Sequence, residues 1–137
     1  MAGYSGTPLA KKLGIKEGFR LFFFNPPKTL RADLGDLPDG VRIYSKLDAK
    51  PFDLIMLFVQ SERLLKQQFA RLMKRLNQNG MLWVAWPKKS SGVETDLSFD
   101  VVQRHGLAAG LVDVKICAVD DTWSGLKFVY RLKDRNK

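Results

Sequence analysis

Leu54-Ile55-Met56-Leu57-Phe58-Val59 is the stretch on which the fold turns. It is an unbroken apolar run, entered through Pro51-Phe52-Asp53, and it reads as a strand buried on both faces. The hydrophobic period then changes. Leu64, Leu65, Phe69, Leu72, Met73 and Leu76 recur at three- and four-residue steps, so they share one face of a helix. Arg63, Lys66, Arg71, Lys74 and Arg75 project from the opposite face. Ser61 is suited to cap the start of this helix, because its hydroxyl can accept from a free amide of the first turn. Asn77-Gln78-Asn79-Gly80, residues that tolerate a left-handed turn, are expected to end it.

The same alternation extends in both directions. Upstream, Arg20 to Phe24 is a short apolar run stopped by Asn25-Pro26-Pro27. Pro27 can open a helix reaching Leu34, since proline is tolerated at the first helical position. Gly35 and Asp36-Leu37-Pro38-Asp39-Gly40 close it, and Val41 to Tyr44 is a short strand. Downstream, Met81 to Trp86 is a further buried strand cut off by Pro87, and Lys88-Lys89-Ser90-Ser91-Gly92 is a loop. Thr95 or Asp96 is expected to cap a helix over Leu97 to Ala108. Val112 to Val119 and Leu126 to Leu132 then read as a hairpin joined by Asp120-Asp121-Thr122-Trp123-Ser124-Gly125. Strands alternating with helices predict a mostly parallel sheet, ending in an antiparallel hairpin and covered by helices on both faces. The 137 residues fit one α/β domain spanning 1–137.

Composition narrows the function classes. With 45% hydrophobic and 27% charged residues, the chain is neither a disordered tail nor a membrane span. The N-terminus lacks the zones of a secretory signal, and the single cysteine, Cys117, falls within an apolar strand pattern as a small buried hydrophobe. Both suit a cytoplasmic location. The 23 basic and 14 acidic residues give a net charge of +9, a bias toward anionic partners.

Three segments resemble S-adenosylmethionine-dependent methyltransferases: Leu13-Gly14-Ile15-Lys16-Glu17-Gly18-Phe19-Arg20, Asn79-Gly80-Met81-Leu82-Trp83-Val84 and Ala109-Gly110-Leu111-Val112-Asp113-Val114. The resemblance implies a Rossmann-like, three-layer fold more than it implies a shared activity. Four others resemble an uncharacterised bacterial family, a domain of unknown function: Tyr4 to Ala10, Trp83 to Gly92, Thr95-Asp96-Leu97 and Trp123 to Lys127. That likeness implies no activity.

The departures from the methyltransferases concern the cofactor loop. Phe24-Asn25-Pro26-Pro27-Lys28 stands where glycines allow backbone to approach the ligand, and its prolines remove two amide donors. Ser45 and Lys46 replace the acid that binds ribose hydroxyls at the end of the second strand, and Asp48 is the nearest carboxylate. On these grounds S-adenosylmethionine is not expected as a cofactor.

No nucleophile elbow, Walker loop, dinucleotide fingerprint or metal-ligand spacing is present. The chain therefore carries no recognisable catalytic centre, and His105 reads as a packed or capping residue. The favoured ligand site is the loop after the strand ending at Pro87, because open α/β sheets place ligands at the carboxyl ends of strands. There Lys88 and Lys89 would neutralise charge, Ser90 and Ser91 would donate hydrogen bonds, and Gly92 would give flexibility, with Trp123 and Lys127 walling the far side. Strand alternation sets Trp83 and Trp86 on opposite faces. Asp120 and Asp121 are a lesser candidate, as a proton-sharing or cation-binding pair, with good turn formation as the plainer reading.

The expected function is thus a non-catalytic domain binding a small anionic or phosphorylated ligand, or an acidic protein partner, at residues 87–92. The alternative is a divergent S-adenosylmethionine-dependent methyltransferase. Third is an electrostatic nucleic-acid binder using the basic helix face from Arg63 to Arg75, disfavoured because that face lacks stacking aromatics. Ser5 to Leu13 is expected to form a short helix after Pro8 that packs over the sheet, or to close over a ligand.

Overall fold

Apolar runs that cannot reach water pair side by side, and here they build one six-stranded sheet. A computed structural model describes residues 7–135. The elements in chain order are α1 (Leu9–Leu13), β1 (Arg20–Phe24), α2 (Leu30–Leu34), β2 (Arg42–Tyr44), β3 (Phe52–Phe58), α3 (Glu62–Met73), β4 (Leu76–Pro87), α4 (Phe99–Ala108), β5 (Leu111–Ala118) and β6 (Trp123–Tyr130). The strand order is β2-β1-β3-β4-β6-β5. Strands β2, β1, β3 and β4 run parallel, while β6 lies antiparallel to both β4 and β5. This is the Rossmann-like three-layer α/β arrangement expected, closing in an antiparallel hairpin.

The central strands alternate between two cores. Phe22, Ile55, Leu57, Leu82, Val84 and Trp86 meet Leu65, Phe69 and Leu72 of α3 and Val102 of α4. Leu21, Leu54, Met56, Phe58, Trp83 and Ala85 meet Leu9, Ala10 and Leu13 of α1 and Leu30 and Leu34 of α2. Helices therefore cover both faces, and Trp83 and Trp86 point to opposite sides as alternation requires. The N-terminal helix packs over the sheet, though Ser5 and Gly6 of that segment, like Tyr4, lie outside the described residues.

Several boundaries differ from the sequence reading. Strand β6 spans Trp123–Tyr130 rather than Leu126 to Leu132, because Trp123, Ser124 and Gly125 already pair with β4. Three further differences have a clear local cause. First, α3 stops at Met73, and Leu76 opens β4 rather than ending the helix. Leu76 satisfies the helical spacing and is equally suited to pair with Phe52 across the sheet. The register then slips between Phe52 and Leu54, and Asn77–Gly80 form an irregularity within the strand, pinned by the Asn77 side chain accepting from the Asn79 amide at 3.0 Å. Gly80 belongs there because a Cβ would sit 2.7 Å from the Asp53 carbonyl oxygen.

Second, α4 is capped by Ser98, whose hydroxyl accepts from the Val101 amide. Asp96 instead reaches across to α3, where its carboxylate accepts from the Glu62 amide at 2.8 Å. Thr95 is likewise diverted, donating its hydroxyl to the Gln60 carbonyl at 2.5 Å. Third, α2 is a single turn beginning at Leu30, and Pro27 contributes a carbonyl to the Leu30 amide at 3.1 Å rather than a helical residue.

Candidate functional site

The chain leaves β1 toward β2 on one side of the sheet and returns to β3 on the other, so the order reverses between β1 and β3. Ligands of open α/β sheets bind outside the carboxyl ends of the strands at such a reversal. Asn25-Pro26-Pro27 and Val59-Gln60-Ser61 stand there.

Asn25 adopts φ 55°, the only non-glycine positive φ among the described residues. Asparagine enters this left-handed region more readily than most side chains, so the chain turns sharply after β1 without a glycine. Beside this turn is a recess of about 490 Å³, lined by Phe22, Phe24, Asn25, Ser45, Lys46 and Arg71 among others. That volume is within the roughly 300–1,000 Å³ of small-molecule sites. Its lining combines aromatic rings with a hydroxyl, an amide and two cations. Arg71 comes from the exposed basic face of α3, whose Phe69 is buried in the core as the periodicity required.

Asp48, the carboxylate nearest the end of β2, turns away from this recess. Both of its oxygens accept from Nη2 of Arg20 at 2.8 Å, and the Arg20 guanidinium is held between the rings of Tyr44 (4.4 Å) and Phe52 (4.5 Å). Arg20 is buried, and its backbone amide donates to Asp53 at 2.8 Å. This network straps residues 45–50 back over the sheet and leaves Ser45 and Lys46 at the opening.

The loop after β4 is a short 3-10 turn over Lys89–Ser91. Lys89, Ser90 and Gly92 are exposed and Lys88 and Ser91 half-buried. Ser91 is occupied within the loop: its hydroxyl donates to the Lys88 carbonyl at 2.6 Å and accepts from the Val93 amide at 3.2 Å. The Lys88 amide donates to the Thr122 carbonyl at 2.8 Å, which brings the loop beside Trp123. Trp123 opens β6 opposite Pro87 and stands edge-on to Phe58, with ring centres 5.2 Å apart. Lys127 is not part of this grouping. It pairs with Trp83 four residues further along β6, about 13 Å away at the rise of a strand.

Asp120 is committed to the hairpin turn, its Oδ1 accepting from the Thr122 and Trp123 amides at 2.8 Å each. No group of three or more metal-ligating side chains exists among the described residues. Cys117 is half-buried, and burial pushes its thiol up from the ordinary value, which keeps it protonated and poorly nucleophilic. His105 faces Glu62, Nε2 to Oε2 at 2.7 Å, and thereby joins α4 to the first turn of α3. Periodicity carried no trace of this pair or of Arg20–Asp48, because their partners are 43 and 28 residues apart. No helix among the described residues is long and apolar enough to cross a membrane.

No protein-family model matches the sequence, and no curated protein sequence matches it. The fold, by contrast, has many solved neighbours. One is the fibrillarin pre-rRNA processing protein of Methanococcus jannaschii, with a TM-score of 0.63, 11% identity, and 90% of this chain and 69% of that chain covered. A second is Aeropyrum pernix fibrillarin with natively bound S-adenosyl-L-methionine, with a TM-score of 0.59, 15% identity, and coverage of 93% and 71%. A third is a SAM-dependent methyltransferase from Aquifex aeolicus, with a TM-score of 0.51, 17% identity, and coverage of 88% and 86%. The fold is thus that of S-adenosylmethionine-dependent methyltransferases. This corrects the expectation that set the methyl donor aside: the neighbours of this fold include a protein holding that donor. The loop after β1 holds no glycine, and it turns through the left-handed φ of Asn25.

Proposed function

We propose that this chain is a divergent S-adenosylmethionine-dependent methyltransferase domain that holds its methyl donor at the carboxyl ends of β1 and β2. The observation that carries this reading is the recess beside the left-handed turn at Asn25, on the strand order shared with methyltransferases. Its residues fit the donor's chemistry. Phe22 and Phe24 offer apolar surface for a base, Ser45 offers a hydroxyl toward ribose, and the Lys46 ammonium offers a partner for the carboxylate. When bound, the donor supplies an electrophilic methyl group on a sulfonium. The protein's own contribution is orientation, since a direct methyl transfer gains chiefly from holding the reacting atoms in line. The excess of basic side chains favours an acceptor of negative charge.

Supporting this reading over the loop at Lys88–Gly92 is the state of the hydroxyls, since Ser91 is already spent on its own turn. The test is calorimetric titration of the full chain with S-adenosylmethionine and its demethylated product. Binding by the wild type, with loss in a Ser45→Trp variant that fills the recess and keeps its unfolding transition, is expected. A donor at 100 times its dissociation constant should also raise stability by about 2.7 kcal/mol. No heat and no stabilisation at millimolar donor would overturn the proposal.

A further inference from the structure

We propose that Lys12, Lys115 and Lys127 form a second site, on the α1-covered face of β5 and β6, that takes a phosphate-bearing anion. It stands at the opposite edge of the sheet from the recess and does not rest on the methyl-donor reading.

The pairing of β5 with β6 sets Lys115 directly across from Lys127 on one face. Like charges directly opposed destabilise a sheet, so this arrangement calls for a counter-charge. Lys127 is half-buried, and among the described residues it has no carboxylate partner; its ammonium rests over the Trp83 ring, 5.8 Å from the centroid. Trp83 is fully buried and fixed, so the lysine is steered rather than free to swing. Above it passes the end of α1, where Gly14 at φ 85° carries no side chain; a Cβ there would stand 3.9 Å from the Lys127 ammonium.

The neighbouring lysines are positioned as well. Lys115 donates from Nζ to the Lys12 carbonyl at 2.9 Å, and Lys12 donates from Nζ to the Ala118 carbonyl at 3.1 Å. An ammonium has three donors, so Lys115, with one committed, can still serve an anion. Burial pushes the Lys127 ammonium below its ordinary range, and Lys115 and then Lys16 push it further the same way. A phosphate satisfies such a cluster better than a carboxylate, because it carries more charge and more acceptor oxygens.

The test is titration of the full chain with pyrophosphate, followed by calorimetry. Saturable binding is expected, weakened about tenfold or more in Lys115→Met and in Lys127→Met, in line with the loss of one charge-assisted hydrogen bond. A Lys88→Met/Lys89→Met control, at the far loop, should bind as the wild type does. Competition then names the source: displacement by a short single-stranded oligonucleotide supports backbone phosphate, and displacement by mononucleotides alone supports a small phosphorylated compound. S-adenosylmethionine binding is measured on the same variants and is expected to be unchanged. Absence of pyrophosphate binding by the wild type, equal weakening in the control, or joint loss of the methyl donor would overturn the site.

Discussion

The indole Nε1 of Trp83 donates to the backbone carbonyl of Leu13 at 3.0 Å, joining residues 70 positions apart. Both side chains are fully buried, so this bond fastens the end of α1 to the middle of β4 without help from water. Trp83→Phe keeps an aromatic ring but leaves the Leu13 carbonyl without its donor. The expected loss is about 1–3 kcal/mol of unfolding free energy, the cost of an unsatisfied buried group. Urea denaturation reads it directly, and a midpoint equal to the wild type's would remove this bond from the account of stability.

Gly106 makes a stronger demand. On α4 it faces Phe128 of β6, and a Cβ built there would lie 1.9 Å from the ring's Cε1. Phe128 is itself held edge-on by Phe69, with centroids 5.8 Å apart, and is fully buried. Gly→Ala in a helix ordinarily stabilises by about 1 kcal/mol. Here the overpacking term, about 1–3 kcal/mol or more, is expected to win, because the ring has nowhere to move. Thermal unfolding of Gly106→Ala should therefore come at a lower temperature than that of the wild type. A rise would mean that α4 shifts freely on the sheet.

These contacts mark what the sequence did and did not disclose. Leu54–Val59 and Met81–Trp86 were legible because an uninterrupted apolar run has few places to go other than the middle of a sheet. The end of α3 was not, because Leu76 satisfies both periods and only its pairing with Phe52 decides between them. At the start of α4, Thr95, Asp96 and Ser98 are all able to cap, and the choice rests on what else lies within reach. Asp96 is taken by the Glu62 amide, and that leaves Ser98. The placement of Lys127 depended on antiparallel register, which put it against Trp83 and away from the loop with which it had been grouped. The left-handed φ of Asn25 was not legible either, because residue identity alone does not set a backbone angle.

The Glu62–His105 pair yields a pH dependence. The hydrogen bond from His105 holds the Glu62 carboxyl below its ordinary value, with smaller help from Lys66. A carboxylate with a depressed folded-state pKa binds fewer protons folded than unfolded, so its stabilisation is present above the unfolded value of about 4.5 and is lost as pH falls through the lower folded value. His105→Ala is expected to reduce stability at pH 6 and to flatten its decline between pH 5 and pH 3. Chemical denaturation across that range checks it; a slope identical to the wild type's would place the acid sensitivity elsewhere.

Lys127 carries the opposite sign. Burial and the lysines Lys115 and Lys16 depress its folded-state pKa below 10.5, with Cys117 as the one opposing influence. Between the folded and unfolded values the unfolded chain binds more protons, so stability from this group rises with pH across that window. Below it, the folded state holds a charge that it disfavours. Lys127→Met removes that charge, keeps an unbranched apolar stem against the Trp83 ring, and should raise the unfolding temperature at pH 7. The same substitution is expected to weaken pyrophosphate binding, so the two effects run in opposite directions. A residue retained only for packing would not separate them in this way: its replacement by methionine would leave stability unchanged or lower it. A Lys127→Met protein that is both less stable and unaltered in anion binding would assign Lys127 to the core alone.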